Sequence, residues 1–280
     1  MTGAKMKLMV DQQGVTIAGN NFRLTTGGAA PRSGMLEPDD VMFGVAESVE
    51  METILSDLEA MTRRTYGQFC GLSRALEVIG ERWALLIVRD LLVSPKHVVD
   101  LQVGLPRIPA DVLASRLREL ERAGVVQRVV GNLHGDSVRY ELTEYGLGLD
   151  ETVLSMGRWG ARLLGEPRPD EIVTPDSLIM AMRATFQRDA AKGVRASYEL
   201  RVGHIVLNLR VDDGRLTASA GPLPGADLTL EPGMALKDLM SGDISADEAI
   251  ERGLVALKGE RVLLDLFTQM FRIPSGDLTR

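Results

Sequence analysis

Asp111, Ser115, Arg118 and Arg122 stand at i, i+4, i+7 and i+11. On a helix turning about 100° per residue they form one polar stripe, with Leu113, Leu117 and Leu120 clustered on the other side. Two guanidinium groups beside a serine can do one kind of chemistry well. Arg donates bidentately to guanine or reaches phosphate, and Ser contacts a base edge or phosphate. The free N–H groups at the start of the helix, just after Arg107 and Pro109, add a site for a phosphate. Arg116 borders the leucine side by angle, so it is expected to support the helix or touch phosphate and not to read bases. The alternative is a solvated face in which Arg118 and Arg122 pair with Asp111 and Glu121 or with nothing.

The elements that must hold this stripe follow from periodicity and breakers. Leu72–Ile79 reads as a helix broken at Gly80, Trp83–Leu92 as an apolar helix stopped by Ser94-Pro95, and Val98–Val103 as a short helix ending at Gly104-Leu105-Pro106. Pro109–Ala123 is the striped helix, with Gly124 where a C-cap is expected. Val125–Val130 and Ser137–Leu142 are β-rich runs around a flexible tip at 131–136. Three helices and then a hairpin is the winged-helix order, and the hairpin adds Arg128, His134 and Arg139 as contacts to a minor groove or backbone. A single helix from Thr143 to Leu164 is expected next, carrying more apolar surface than a monomer needs. Residues 50–63 place Met51, Ile54, Leu55, Leu58 and Met61 at helical spacing, a stripe that also needs a partner.

Residues 1–50 read as a poorly ordered arm with at most a minor hairpin at 7–10 and 15–18, and no function is assigned to them. Gly165, Pro167 and Pro169 mark a boundary at 166–175. Beyond it the pattern becomes α+β. Ser177–Asp189 is a helix. Ala196–Val202, His204–Val211, Leu216–Ala220 and Ala226–Leu230 are strands, and Met234–Met240, Ser245–Glu251 and Arg261–Phe271 are helices, with a short strand near Leu254–Leu257. Ile205, Leu207, Leu209 and Val211 share one face, and Met182, Phe186, Met234, Leu239, Met240, Phe267, Met270 and Phe271 supply a Met-rich apolar layer. These residues either line an apolar pocket or simply fill a core.

Composition narrows the classes. The 280 residues carry 32 basic and 39 acidic side chains, a net charge of −7, which argues against nucleic acid on average. The charge is uneven, however. From Arg107 to Arg139 six arginines face four acids, and local potential within about 10 Å decides phosphate contacts. No apolar run approaches the roughly 20 residues of a membrane span, so membrane insertion is not expected. No secretory signal is visible, and the cytoplasm is the expected location. One cysteine, Cys70, and three separated histidines make a metal site improbable. No Ser-His-acid set, phosphate-binding Gly loop or paired carboxylates stand out, so neither an enzyme nor a cofactor is expected.

The runs Cys70–Leu76, Gly80–Leu92, Ile108–Val126 and Tyr140–Gly146 resemble the HxlR-type winged-helix regulators of the MarR-like superfamily over about a third of the chain. The resemblance implies a cytoplasmic dimer that binds operator DNA through the Pro109–Ala123 helix, here read as a repressor. It also implies that flanking helices make the dimer, for which Ile54, Leu58, Met61, Leu154 and Trp159 are the candidates. The wing tip departs from a basic pattern, since it carries Asp136. Cys70 coincides with a cysteine that some members use as a thiol sensor, with Arg74 one turn on to favour a thiolate. A small buried residue at a helix start is the competing reading.

Residues 176–273, and the stretch Ala235–Gly259 in particular, are similar to sterol-carrier-protein type-2 domains, which implies a layered α/β fold with a hydrophobic cavity. The expected whole is an α+β chain, with an arm at 1–50, a winged-helix DNA-binding and dimerisation domain at 51–165, a linker at 166–175, a sterol-carrier-like domain at 176–273 and a tail at 274–280. Its expected partners are an operator duplex, a second copy, and an apolar effector such as a fatty acid, sterol-like or polyketide-like compound. A lipid carrier whose winged helix only mediates protein contacts, and a redox regulator acting through Cys70, are the rivals.

Overall fold

Amphipathic spacing and its interruptions set the elements of this computed structural model, which describes residues 8–11, 14–17, 65–130, 138–165, 168 and 170–273. Strands β1 (Leu8–Asp11) and β2 (Gly14–Ile17) pair antiparallel as a small hairpin within residues 1–64, one of two compact units. Residues 65–280 form the other unit. It begins with α1 (Gly71–Ile79), α2 (Ala84–Leu91), α3 (Val98–Gly104) and α4 (Ala110–Arg122).

Helix α4 starts where Pro109 adopts an extended conformation, and it ends before Gly124, whose φ of +70° only glycine takes without strain. The wing follows as β3 (Val126–Val130) and β4 (Val138–Leu142), in register from Val126 opposite Leu142 to Val130 opposite Val138. Lys96 adds a one-residue third strand, exchanging both backbone hydrogen bonds with Tyr140 at 2.9 and 2.8 Å. Ile87, Val88, Leu101, Leu113, Leu117, Leu120, Val125 and Val126 close the core of this layer.

The single helix expected over 143–164 is instead two, α5 (Glu144–Leu147) and α6 (Asp150–Ala161). The cause is local. Thr143 caps α5, its Oγ1 accepting from the Gly146 amide at 3.0 Å and donating to the Gly124 carbonyl at 2.6 Å. A Cβ at Gly146 would lie 2.1 Å from the Val125 carbonyl oxygen, so α5 is pressed onto the start of the wing and the helix begins afresh at Asp150.

The C-terminal layer opens with α7 (Pro175–Thr185), capped by Thr174. Its expected extension to Asp189 does not occur, because Phe186 turns extended to bridge Phe271 and the Gln187 amide donates to Met270. Strands β5 (Arg195–Val202), β6 (Ile205–Asp212), β7 (Arg215–Ala220), β8 (Leu228–Glu231) and β9 (Ala256–Gly259) form one sheet in the order β7-β6-β5-β8-β9. Only the β5–β8 pair is parallel. Helices α8 (Leu236–Ser241), α9 (Ala246–Glu251) and α10 (Val262–Met270) complete the layer, with a 3₁₀ turn at Gly233–Ala235 before α8. Strand alternation shows in β6, where Ile205, Leu207, Leu209 and Val211 are buried and the residues between them face outward.

No helix among the described residues is long and apolar enough to cross a membrane.

Candidate nucleic-acid interface

Three leucines fix the striped helix. Leu113, Leu117 and Leu120 are wholly buried against α2, α3 and the wing, which turns Asp111, Arg118 and Arg122 to solvent and leaves Ser115 half-buried. Arg118 is exposed. Arg122, one turn on, has a partner within the chain. Ser115 Oγ donates to Glu119 at 3.3 Å.

Several other cations are already engaged. Arg116, mostly buried, pairs closely with Glu119, lies 3.9 Å from Glu81 and has an Nε without a hydrogen-bond partner, so it holds α4 to the turn before α2. Arg107, just before α4, donates to the Asp170 carbonyl and carboxylate, both at 2.7 Å, and holds the Asp170 carboxyl below the usual carboxylate range. Arg128 pairs with Glu121 at 2.7 Å, which raises its own pKa.

The register of the wing separates two expected contacts. Arg128 lies opposite Tyr140 and Arg139 opposite Val129, and paired residues of a ladder share a face. Arg128 and Arg139 therefore point to opposite sides of the hairpin. His134 lies outside the described residues. Pro109 is exposed at the N-terminus of α4, whose first turn carries Asp111. Sequence reasoning passed over Lys96 and His97. Lys96 supplies the wing's third strand, and a His97 ring nitrogen lies 3.0 Å from the Val138 carbonyl. Their partners Tyr140 and Val138 lie more than 40 residues away, so no local pattern marks either one.

Of the residues proposed for an apolar ligand, Met182, Leu207, Leu209, Leu239, Met240, Phe267, Met270 and Phe271 meet in one buried cluster. Phe186 packs beside them with its ring 5.5 Å from Phe271. Phe267 lies 4.6 Å from Phe271 and 5.6 Å from Tyr198, centroid to centroid. Met234 departs from the expected apolar lid: in the turn before α8 it is 72% exposed. An open depression of about 580 Å³ lies elsewhere, lined by Arg201, Val206, Glu231 and Leu254 among others, and none of the expected ligand residues borders it.

Leu154, expected to face a second copy, is instead covered by Met180 and Ala184 of its own chain. Trp159 is exposed, as are Met156, Leu163 and Leu164 near it. Ile54, Leu58 and Met61 lie outside the described residues.

Cys70 is exposed as the N-cap of α1, where the amides of Ser73 and Leu72 draw its thiol pKa down. Among the described residues, no cluster of His, Cys, Asp and Glu could hold a metal ion.

Comparison with known proteins places this geometry. The HxlR-like helix-turn-helix family matches residues 78–167. The HTH-type transcriptional regulator YtcD of Bacillus subtilis (strain 168) is 40% identical over 86 residues, covering 31% of this chain and 68% of the relative. The regulator YkvN of the same organism is 33% identical over 112 residues, covering 39% and 95%. Among solved structures, the redox regulator HypR in its oxidised form is 34% identical, covering 32% of this chain and 94% of that one, with a TM-score of 0.31. The family match spans α2 to α6 and the wing between them. Through residues 78–167, the chain belongs to the HxlR-like helix-turn-helix family.

Proposed function

We propose that the chain is a DNA-binding transcriptional regulator, a homodimeric repressor whose α4 enters the major groove of a two-fold operator. The observation that carries this reading is the orientation of α4: its leucines are buried, and Asp111, Arg118 and Arg122 are exposed on the outer face. Names of the relatives support it, since YtcD and YkvN are both described as HTH-type transcriptional regulators. Half-sites about 34 Å apart would match a two-fold pair of recognition helices. Residues 51–165 would serve DNA binding and dimerisation, with exposed Trp159 and the 50–63 stripe at the interface. Arg107, Pro109, Ser115, His134 and one of Arg128 and Arg139, which point to opposite sides of the hairpin, are the further contacts of this reading, while Arg116 serves to hold α4 in place. Mobility shift with the duplex upstream of the gene, over a salt series, is the test. Retardation that weakens as salt rises supports the reading, and its absence at low salt removes it.

Residues 176–273, joined through 166–175, would form a sterol-carrier-like domain that takes an apolar small molecule and shifts the paired recognition helices. Support comes from the layered sheet and helices around a Met- and Phe-rich cluster. Native mass spectrometry of the purified protein would reveal a copurified lipid, whose identity would also weigh the carrier alternative.

A second reading rests on Cys70. Its exposed, acidified thiol at the start of α1 favours a thiol switch. The thiolate would attack a peroxide oxygen, breaking the O–O bond and releasing hydroxide as a sulfenic acid forms. Replacing Cys70 with Ser and measuring the oxidant response of DNA binding tests it.

A further inference from the structure

Helix α7 is buried on two sides. Leu178, Ile179 and Met182 enter the large C-terminal cluster, while Met180 and Ala184 pack with Leu154, backed by Leu92, Val93 and Val153. The helix therefore belongs to the C-terminal core on one side and to a small cluster against α6 and the end of α2 on the other. Two ion pairs tie its ends to the DNA-reading part. At its first turn, Asp176 holds Lys96 at 3.0 Å, with both side chains more than four-fifths covered. Lys96 is the residue whose backbone exchanges both hydrogen bonds with Tyr140 to make the third strand of the wing. At its last turn, Arg183 grips both carboxylate oxygens of Asp150 at 2.7 and 2.9 Å, at the start of α6, and reaches the Leu92 carbonyl at 3.5 Å.

The Lys96 end is close-packed. Asp90, wholly buried in α2, pairs with Arg89 through Oδ1 and leaves Oδ2 without a hydrogen-bond partner. A Cβ on Gly104 would lie 2.6 Å from that Oδ2 and 3.8 Å from Oδ2 of Asp176, so two carboxylates converge on the Gly104 backbone with Lys96 beside them. Displacing α7 must then move Lys96 or break its ion pair.

We propose that Asp176 and Arg183 are positioning residues for DNA binding: they make α7 the element through which the C-terminal core sets the wing base at Lys96–Tyr140 and the first turn of α6. This rests on the reading of α4 and the wing as the DNA interface. A bound molecule in the C-terminal core would act on DNA only as far as it changes the seat of α7, because a ligand shifts an equilibrium only by its differential contacts with the two states.

Hydrogen exchange on the full chain, read by mass spectrometry, tests the coupling without DNA. Asp176→Asn is expected to speed exchange of the Lys96 and Tyr140 amides about tenfold while β5 and β6 exchange as before. Arg183→Gln is expected to do the same at the Val153 amide, which donates to Leu149. Met182→Ala, which opens the C-terminal cluster only, should speed the Lys96 and Tyr140 amides in the otherwise unchanged chain. It should have no further effect there once Asp176→Asn and Arg183→Gln are both present. Should Met182→Ala melt the layer, Met182→Leu gives the milder form of the same comparison. Unchanged exchange at Lys96 and Tyr140 in Asp176→Asn, or an equal Met182 effect with and without the two ion pairs, would overturn the proposal. A fluorescein-labelled duplex from upstream of the gene adds a separate readout. If no form of the protein binds it, the DNA reading falls, while the exchange data still decide the coupling.

Discussion

One guanidinium nitrogen of Arg107 donates to both the main-chain carbonyl and the carboxylate of Asp170, each at 2.7 Å, so a residue beyond the family-matched segment neutralises a cation beside the N-terminus of α4. Both side chains are exposed, and water and salt screen such a pair. Its consequence is electrostatic and not structural. Asp170→Asn is expected to leave the urea unfolding midpoint unchanged and to tighten binding to duplex DNA. The salt slope should steepen by up to about one ion as Arg107 becomes available to phosphate. Fluorescence anisotropy over a salt series measures this, and an unaltered slope would take Arg107 out of the interface.

Arg118→Ala should weaken specific binding by roughly 1–3 kcal/mol if the guanidinium reads a base, with a loss confined to one operator position. If it contacts phosphate, affinity should fall equally for all sequences. A panel of single-base operator variants separates the two, and full retention of affinity would exclude both.

Leu117→Ala opens a void in the core beneath the same helix, where the side chain is wholly buried. The expected cost is about 2–5 kcal/mol of folding stability, and the range reflects how far the site can collapse. Chemical denaturation reports it. A cost below about 1 kcal/mol would mean that α4 is not anchored as described.

Burial pushes the Asp90 carboxyl above the ordinary carboxylate range, with Arg89 opposing and Asp176 adding to the shift. A carboxyl with a raised folded-state pKa keeps its proton in the native protein over a range where the unfolded chain has lost it. Its contribution is fully present below the unfolded pKa and is lost as pH rises through the folded one. Asp90→Asn, which retains the acceptor for Arg89, should flatten the decline in stability as pH rises above about 4. Urea midpoints across that range test the sign, and an unchanged slope would show that Asp90 is not its source.

The helix-start amides that acidify Cys70 predict that iodoacetamide reacts with it at lower pH than with an unperturbed cysteine. Moving the thiol to the exposed position before the N-cap, with Cys70→Ser and Phe69→Cys together, should return the midpoint to the ordinary thiol range. An ordinary midpoint in the unaltered chain would weaken the redox reading.

Local signals were legible where they agreed with packing. Pro109, three leucines at helical spacing and Gly124 bracketed α4 to within a residue, and β-rich runs around 131–136 located the wing. Relations that depend on distant backbone were not. No periodicity shows that Gly146 must sit against the Val125 carbonyl and so interrupt the helix after Leu147. The pairing of Lys96 with Asp176 and of Asp150 with Arg183 likewise arises only when α7 folds onto the winged helix. Leu154 read as surplus apolar surface for the same reason, because its cover comes from Met180 and Ala184. The wing's arginines could be counted in the sequence, but their separation onto two faces needed the register.

The double burial of α7 also bears on how the molecule can be divided. A truncation ending at Gly165 would uncover Leu92, Val93, Val153 and Leu154 and strand the Asp150 and Lys96 charges, so the family-matched fragment alone would present a sticky, charge-unbalanced flank. A piece extended through Thr185 would keep those residues covered, and would in turn lay bare Leu178, Ile179 and Met182, the face of α7 that serves the sheet behind it.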